Sequence, residues 1–239
     1  MRLPTNWEYF LKKTIDLSEF YLNLDVLISR TKHLIPAEEN IFHVFRSLAP
    51  EDVRCVLYGE DPYPRLTSAN GVAFWDAEID SWETRTNGSA MKNILKALLV
   101  ARGWADYHTS IAECRRIALE KKIKSPPQLF PFWLKQGVLL INTSLTFGGN
   151  GLKKTHFDFW HPFHRALIRA LNRREDAPVY ILWGRKAWRW EEEIINTLSD
   201  PGKIIKQGHP TFIHQFLKKD KPAYSPFVEI RKRTGLKWL

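Results

Sequence analysis

Cysteine is nearly missing from this 239-residue chain, which has only Cys55 and Cys114. Two thiols build neither a disulfide framework nor a four-cysteine zinc or iron–sulfur site, so small secreted scaffolds and those metal centres are excluded. A reducing, intracellular compartment is expected: cytoplasmic in a bacterium, nuclear in a eukaryote. Long apolar runs are missing too. No stretch approaches the roughly 18 uninterrupted apolar residues of a membrane span. The opening residues, Met1-Arg2-Leu3-Pro4-Thr5-Asn6-Trp7, carry no apolar signal core. The expected protein is soluble, without a membrane partner, and it has neither internal repeats nor low-complexity segments.

Acidic residues are in deficit, with 26 Asp+Glu against 36 Lys+Arg and a formal net charge of +10. That excess favours polyanionic partners, nucleic acid above all, through counterion release. A generally cationic surface would also serve solubility. Basic groups gather late in the chain: Arg185, Lys186 and Arg189; Lys218, Lys219 and Lys221; Arg231, Lys232 and Arg233. A basic C-terminal face is therefore expected.

The most informative segment is Leu57-Tyr58-Gly59-Glu60-Asp61-Pro62-Tyr63-Pro64. It follows the apolar stretch Val53 to Leu57, which reads as a buried strand that stops abruptly and presents an Asp and a Tyr at its C-terminal end. Three further short runs end in the same manner: 136–142 at Asn142, Val179 to Trp183 at Gly184, and Lys203 to Gln207 at Gly208-His209-Pro210. Apolar periodicity predicts helices over Trp7 to Leu27, Glu38 to Leu48, Ser89 to Val100 with Ser89 as cap, Phe163 to Leu171, and Glu191 to Leu198. Strands alternating with helices imply an α/β fold. A central, largely parallel four-stranded sheet is flanked by helices on both faces, in one domain spanning residues 1–239. A parallel sheet brings its strand ends to one edge, where ligands bind in such folds.

Asp61, Asn142 and His209 at that edge suit a planar heterocycle. The amide of Asn142 can pair with an N–H and a C=O on one pyrimidine edge. His209 can donate to a carbonyl whose charge grows as a glycosidic bond breaks, and nearby positive charge would keep its imidazole neutral. Asp61 as an anion can orient water and stabilise an oxocarbenium-like sugar. Taken singly, each residue also reads as turn, cap or core, and Phe74 within Val72-Ala73-Phe74-Trp75 reads as core.

The motifs taken together resemble those of the family 1 uracil-DNA glycosylases. They run in order as Gly59-Glu60-Asp61-Pro62-Tyr63-Pro64, Asn70-Gly71-Val72-Ala73-Phe74, Lys135 to Thr146, Leu182-Trp183-Gly184 and His209-Pro210. The resemblance spans about Trp7 to Trp238. It implies hydrolysis of the N-glycosidic bond of deoxyuridine in DNA by base flipping, with uracil-containing DNA as partner, a monomeric enzyme, and no metal or other cofactor. By that resemblance Asp61 activates water, Tyr63 excludes the 5-methyl of thymine, Phe74 stacks on the flipped base, Asn142 reads its edge and His209 donates to its O2. The DNA contacts fall on Ser89, Ala90, Gly184, Arg185, Pro210 and Thr211. Ile213 is placed as the intercalating wedge and Phe212 beside it is able to share that role. A uracil-mimicking protein inhibitor is a further partner that the resemblance implies.

The pattern is broken in places. The family's Gln-Asp-Pro-Tyr-His stands here as Glu60-Asp61-Pro62-Tyr63-Pro64, so Pro64 offers no side-chain donor and Glu60, placed with the substrate-binding residues, adds an anion beside Asp61. The Glu60 carboxylate is expected to face solvent or a basic partner. A proline-rich, phosphate-pinching loop is replaced by 85–90, and Arg185 stands where serine is usual. The competing reading is a DNA-binding accessory protein that keeps the glycosylase fold without turnover. Altered base choice is a third.

Overall fold

The computed structural model describes residues 1–84, 88–198 and 200–239. Arg85, Thr86 and Asn87, which the sequence places in the replaced phosphate-pinching loop, lie outside the described residues.

Strands β1 (Cys55–Gly59), β2 (Val138–Asn142), β3 (Val179–Trp183) and β4 (Ile204–Gln207) form one sheet in the order β2-β1-β3-β4, with every neighbouring pair parallel. The expected α/β class is the observed one. β1 runs two residues later than the apolar run suggests. Val53 closes a 3-10 turn over Pro50–Asp52, while Gly59 stays in the ladder opposite Asn142. A glycine that reads as a breaker in isolation is held extended by its neighbour strand.

The helices are α1 (Thr5–Leu11), α2 (Leu17–Ser29), α3 (His43–Ser47), α4 (Ser89–Ala101), α5 (Ile111–Glu120), α6 (Pro126–Lys135), α7 (Lys153–Asn172), α8 (Arg185–Trp188), α9 (Glu191–Ile195), α10 (Ile213–Phe216) and α11 (Pro226–Thr234). No helix among the described residues is long and apolar enough to cross a membrane.

Several helices depart from the periodicity reading, each for a local reason. The helix expected over Trp7 to Leu27 is two, because the Asp16 side chain accepts hydrogen bonds from the backbone N–H groups of Ser18 and Glu19 and restarts the helix as the N-cap of α2. The helix expected over Glu38 to Leu48 is a 3-10 turn at Glu38–Asn40 followed by α3. Ser89 is not the cap of α4 but its first residue, after Gly88. The helix expected to reach Leu198 ends at Ile195. Helix α6 is hidden by Pro126, Pro127 and Pro131. The first two occupy a helix start, where no N–H is needed, and Ser125 and Gln128 form a capping box.

Helix α7 is the largest difference. It begins ten residues before the expected Phe163 and runs through Pro162. An interior proline costs about 3 kcal/mol, but here it sits on an exposed face while His156, Trp160, Phe163, Leu167 and Leu171 keep one buried stripe across it. Fully burying each large apolar side chain contributes roughly 1.5–3 kcal/mol, so the stripe outweighs the proline.

Every residue of β1 is buried, as is every residue of β3 except the partly buried Val179, so both faces of the sheet are covered. On one face Tyr58 lies against His164 and Trp190, at centroid distances of 5.5 and 6.1 Å, and the Tyr180 hydroxyl donates to Asn172 Oδ1 at 2.7 Å. On the other, Trp183 meets Phe216 edge-on at 4.9 Å and Phe227 at 5.8 Å. A rigid, aromatic-filled sandwich thus holds the four strand ends in place.

Candidate active site

The C-terminal ends of β1, β2 and β4 open into a cavity of about 250 Å³. Its lining includes Asp61, Tyr63, Phe74, Asn142 and His209, the five residues that the sequence marks out, together with Glu60, Pro64, Ala90, Lys153 and Thr211. A larger groove of about 600 Å³ lies between α2 and α7. Two of its polar side chains serve the fold: Asp16 caps α2, and His156 bonds Thr146 Oγ1 at 2.7 Å.

Asn142 ends β2. Its amide lies over the end of β1, where a Cβ on Gly59 would come within 2.4 Å of Asn142 Oδ1. Only glycine at position 59 leaves room for it. The ladder continues one step past the strands, Thr143 N–H donating to Gly59 O at 3.0 Å and Ser144 N–H to Glu60 O at 3.1 Å. The Asn142 side chain makes no protein hydrogen bond among the described residues, so its donor and acceptor are both available to a ligand.

Phe74 is buried yet borders the cavity, in a left-handed backbone conformation with φ of 66°. Such a conformation is uncommon for a bulky residue and costs on the order of 1 kcal/mol or more. It is held by neighbours on each side: Ala73 N–H donates to Leu140 O at 3.1 Å, the Tyr63 hydroxyl to Phe74 O at 3.3 Å, and the ring meets Trp183 edge-on at 5.1 Å. Phe74 is thus a core residue by burial that also contributes to the cavity lining. The loop that carries Tyr63 and Phe74 is braced by Arg65, which contacts Asp76 at 3.2 Å and Glu78 at 3.0 Å.

His209 follows β4, with its loop pinned by Asn93 Nδ2 donating to Pro210 O at 2.6 Å. Gly184, with φ of 89°, is in close contact: a Cβ there would lie 2.9 Å from His209 Cβ. Thr211 N–H donates to His209 Nδ1 at 3.2 Å. In a neutral imidazole this places the proton on Nε2. Burial pushes the His209 pKa below the usual histidine range, with Glu60 opposing. The lowered direction agrees with the sequence reading, but the cause differs, since desolvation acts here rather than neighbouring positive charge.

Asp61 is one-fifth exposed, and Lys153 Nζ sits 2.8 Å from its Oδ2 and 2.7 Å from Glu60 Oε1. Burial raises the Asp61 pKa above the ordinary carboxylate value. Lys153 counters this through a hydrogen bond and charge, Glu60 adds to it, and Lys186 subtracts. The Glu60 carboxylate thus meets the expected basic partner. Lys153 itself escaped the sequence reading, because a helix begun at Phe163 leaves the first turn of α7 as loop.

Family profiles identify what this arrangement belongs to: the profile described as "Uracil DNA glycosylase superfamily" matches residues 45–230. The chain belongs to that superfamily. A curated relative named uracil-DNA glycosylase, from Exiguobacterium sibiricum, is 29% identical over 250 residues and covers 99% of both chains. The crystal structure of the wild-type UNG of Nitratifractor salsuginis is 27% identical with a TM-score of 0.70, over 89% of this chain and 86% of that one. A mimivirus UNG variant in complex with UGI has the same fold, with a TM-score of 0.60 at 22% identity, over 87% of this chain and 70% of that one.

Of the DNA-side residues named from the resemblance, two line the cavity and the others do not. Ala90 and Thr211 reach its lining; Ser89 opens α4, and Arg185 is exposed at the start of α8. Phe212 is 50% exposed, whereas Ile213 is packed against the core. The expected basic C-terminal face is divided. Arg185 and Lys186 follow β3 at the cavity edge, but Arg233 donates to the carbonyls of Gly202 and Ile204 at the opposite end of β4. Basic clusters that composition groups together are thus placed at opposite ends of the sheet.

Proposed function

We propose that this protein is a uracil-DNA glycosylase, hydrolysing the N-glycosidic bond of deoxyuridine in DNA to free uracil and an abasic site, and acting as a monomer of one domain over residues 1–239. The observation that carries the reading is the lining of one cavity by Asp61, Tyr63, Phe74, Asn142 and His209. An accessory protein that binds DNA without turnover has no such need of an intact set.

In this reading the flipped uracil stacks on Phe74, with Asn142 pairing to its N3–H and O4. Cytosine presents an acceptor and a donor at those positions and mismatches the amide. As the bond to C1′ lengthens, negative charge moves onto the base and positive charge onto the sugar. The neutral Nε2–H of His209 stabilises the first at O2, preorganised by the Thr211 N–H on its other nitrogen. Asp61 stabilises the second and orients the attacking water. A neutral donor facing the base and an anion facing the sugar favour the charge-separated transition state over the neutral nucleoside.

Tyr63 supplies the wall against a 5-methyl group, held by its bond to Phe74 O. A single methyl in a fitted pocket is worth about 1–3 kcal/mol of discrimination. Tyr63→Ala is therefore expected to lower the uracil-to-thymine rate ratio roughly 10- to 200-fold, read from release of each base from matched oligonucleotides. Unchanged thymine exclusion would remove Tyr63 from this role.

The wedge is assigned to Phe212 in preference to Ile213, since its ring is half exposed next to Thr211 of the cavity lining while Ile213 packs against the core. Aromatic stacking on a base is worth about 1–3 kcal/mol. Phe212→Ala is expected to lower release from duplex substrate roughly 10-fold or more while changing single-stranded substrate little, because only a duplex leaves a vacated stack to fill. Equal losses on both would assign Phe212 a structural part instead. A protein that mimics the uracil nucleotide would compete at the same cavity. Release of uracil from a deoxyuridine oligonucleotide, with the thymidine oligonucleotide as control, tests the function itself.

A further inference from the structure

We infer that Lys153 is a positioning residue for this reaction: its ammonium bridges Glu60 and Asp61, holding Asp61 as an aimed carboxylate, and Glu60 is the anchor that keeps Lys153 there. The inference rests on the reading of Asp61 as the carboxylate of a uracil-releasing site.

Glu60 and Asp61 are consecutive and would point to opposite faces if β1 continued. Where the chain leaves β1 they instead converge on one nitrogen, at 2.7 and 2.8 Å, distances of charge-assisted hydrogen bonds. Lys153 enters from the first turn of α7, and its cation lies 5.8 Å from the centre of the Phe157 ring. Lys186 from α8 lies over the same ring at 5.5 Å. The groups facing Asp61 are therefore Glu60 and Tyr63 from its own segment, Lys153 from α7, Lys186 from α8 and His209 from the loop after β4. Of these, Lys153 alone is ion-paired to it among the described residues.

Two adjacent carboxylates in a partly dry cavity repel, and each favours protonation of the other. A protonated Asp61 neither stabilises a cationic sugar nor takes a proton from water. Burial works against the ammonium of Lys153 as well, but its bonds to Asp61 and Glu60 prevail and raise its pKa. One proton is thereby held on nitrogen, and Lys153 pulls the Asp61 pKa down against the burial and the Glu60 charge that raise it. Glu60 has two opposed effects: its charge repels Asp61, and its bond secures the lysine that outweighs that repulsion.

The opposition gives a distinctive double-mutant signature. An opposite charge within about 4–6 Å moves a carboxyl pKa by roughly 1–3 units. In the full-length protein, Lys153→Met should raise the Asp61 titration midpoint, followed by side-chain carboxyl NMR, by about one pH unit or more. Lys153→Arg should leave it near the wild-type value. Lys153→Met combined with Glu60→Gln should bring it back down, because the repelling charge has gone, and Glu60→Gln alone should not raise it. The acid limb of kcat for uracil release from a single-stranded deoxyuridine oligonucleotide should move in parallel, with kcat affected more than KM.

A lysine that merely tied α7 to β1 would change thermal stability and leave both profiles in place. The inference is overturned if Asp61 titrates alike in wild type and Lys153→Met, or if the double variant titrates no lower than Lys153→Met. Absence of uracil release by the wild type would overturn the functional reading instead. The NMR titration, made on the free protein, decides the part of Lys153 independently.

Discussion

Asp61→Asn is expected to slow single-turnover release of uracil by about 10²- to 10⁴-fold while leaving DNA affinity within a few-fold. The substitution keeps shape and removes charge. Asparagine can still touch a water, but it cannot take its proton, and it leaves Lys153 beside Glu60 as a cation facing a sugar that is becoming cationic. The loss should fall on kcat, because the charge matters most once the glycosidic bond has stretched. DNA binding should survive, since on the proposed reading Asp61 faces the flipped nucleoside and phosphates are held by cationic side chains. Removal of an anion should if anything favour the polyanion. Single-turnover kinetics beside a fluorescence anisotropy titration at the same salt separates the two effects. A rate unchanged within a few-fold would mean that Asp61 has no part in the chemistry.

The second large effect is expected at His209. Removing a preorganised donor to a developing oxyanion costs typically 10²–10³-fold in rate, and His209→Ala should lose about that much, again in kcat. The donor is held neutral by burial, while Thr211 N–H on Nδ1 directs the remaining proton toward the base. A neutral donor stabilises the departing uracil anion without transferring a proton to it. The two nitrogens have separate duties, so His209→Asn, which has one amide donor and a different reach, should recover only part of the loss. Single-turnover rates for the wild type and both variants, at fixed pH and salt, provide the check. A loss under 10-fold for His209→Ala would assign the stabilisation of O2 to another group.

Much of this was legible in the residues, and the reasons differ by element. β3 could be bounded from Val179 to Trp183 because a β-branched and aromatic run stops at a glycine whose φ of 89° no ordinary side chain adopts readily. The convergence of Asp61, Asn142 and His209 followed from topology alone: parallel strands share one C-terminal edge, so polar residues at strand ends are brought together from far apart in sequence. Helix α7 was legible only in its second half. Pro162 breaks local propensity, and the buried stripe that overrides it forms only when Phe42, Phe45 and Phe20 are in place against Trp160 and Phe163. Lys153 was lost with that first half. A pair of adjacent carboxylates announces a need for a cation, but with 36 lysines and arginines in the chain the sequence does not say which one answers.

Basic clusters misled for a related reason. Arg231, Lys232 and Arg233 are near Lys218 to Lys221 in sequence, yet α11 carries Arg233 back to the start of β4, away from the cavity. Charge runs report composition, and their position on the surface is set by the direction of the helix that bears them. The choice between Phe212 and Ile213 was equally a matter of packing: Ile213 at the start of α10 is partly buried against the core, while Phe212 before it is half exposed.

The most direct test of the central claim is incubation of the purified protein, at low salt, with single- and double-stranded oligonucleotides carrying one deoxyuridine, with free base and abasic sites both quantified. The account predicts one free uracil for each abasic site formed, on substrates where the thymidine counterpart yields neither. Tight, salt-sensitive binding of the same oligonucleotides with no uracil and no abasic product would contradict it and would leave a DNA-binding protein on a glycosylase fold.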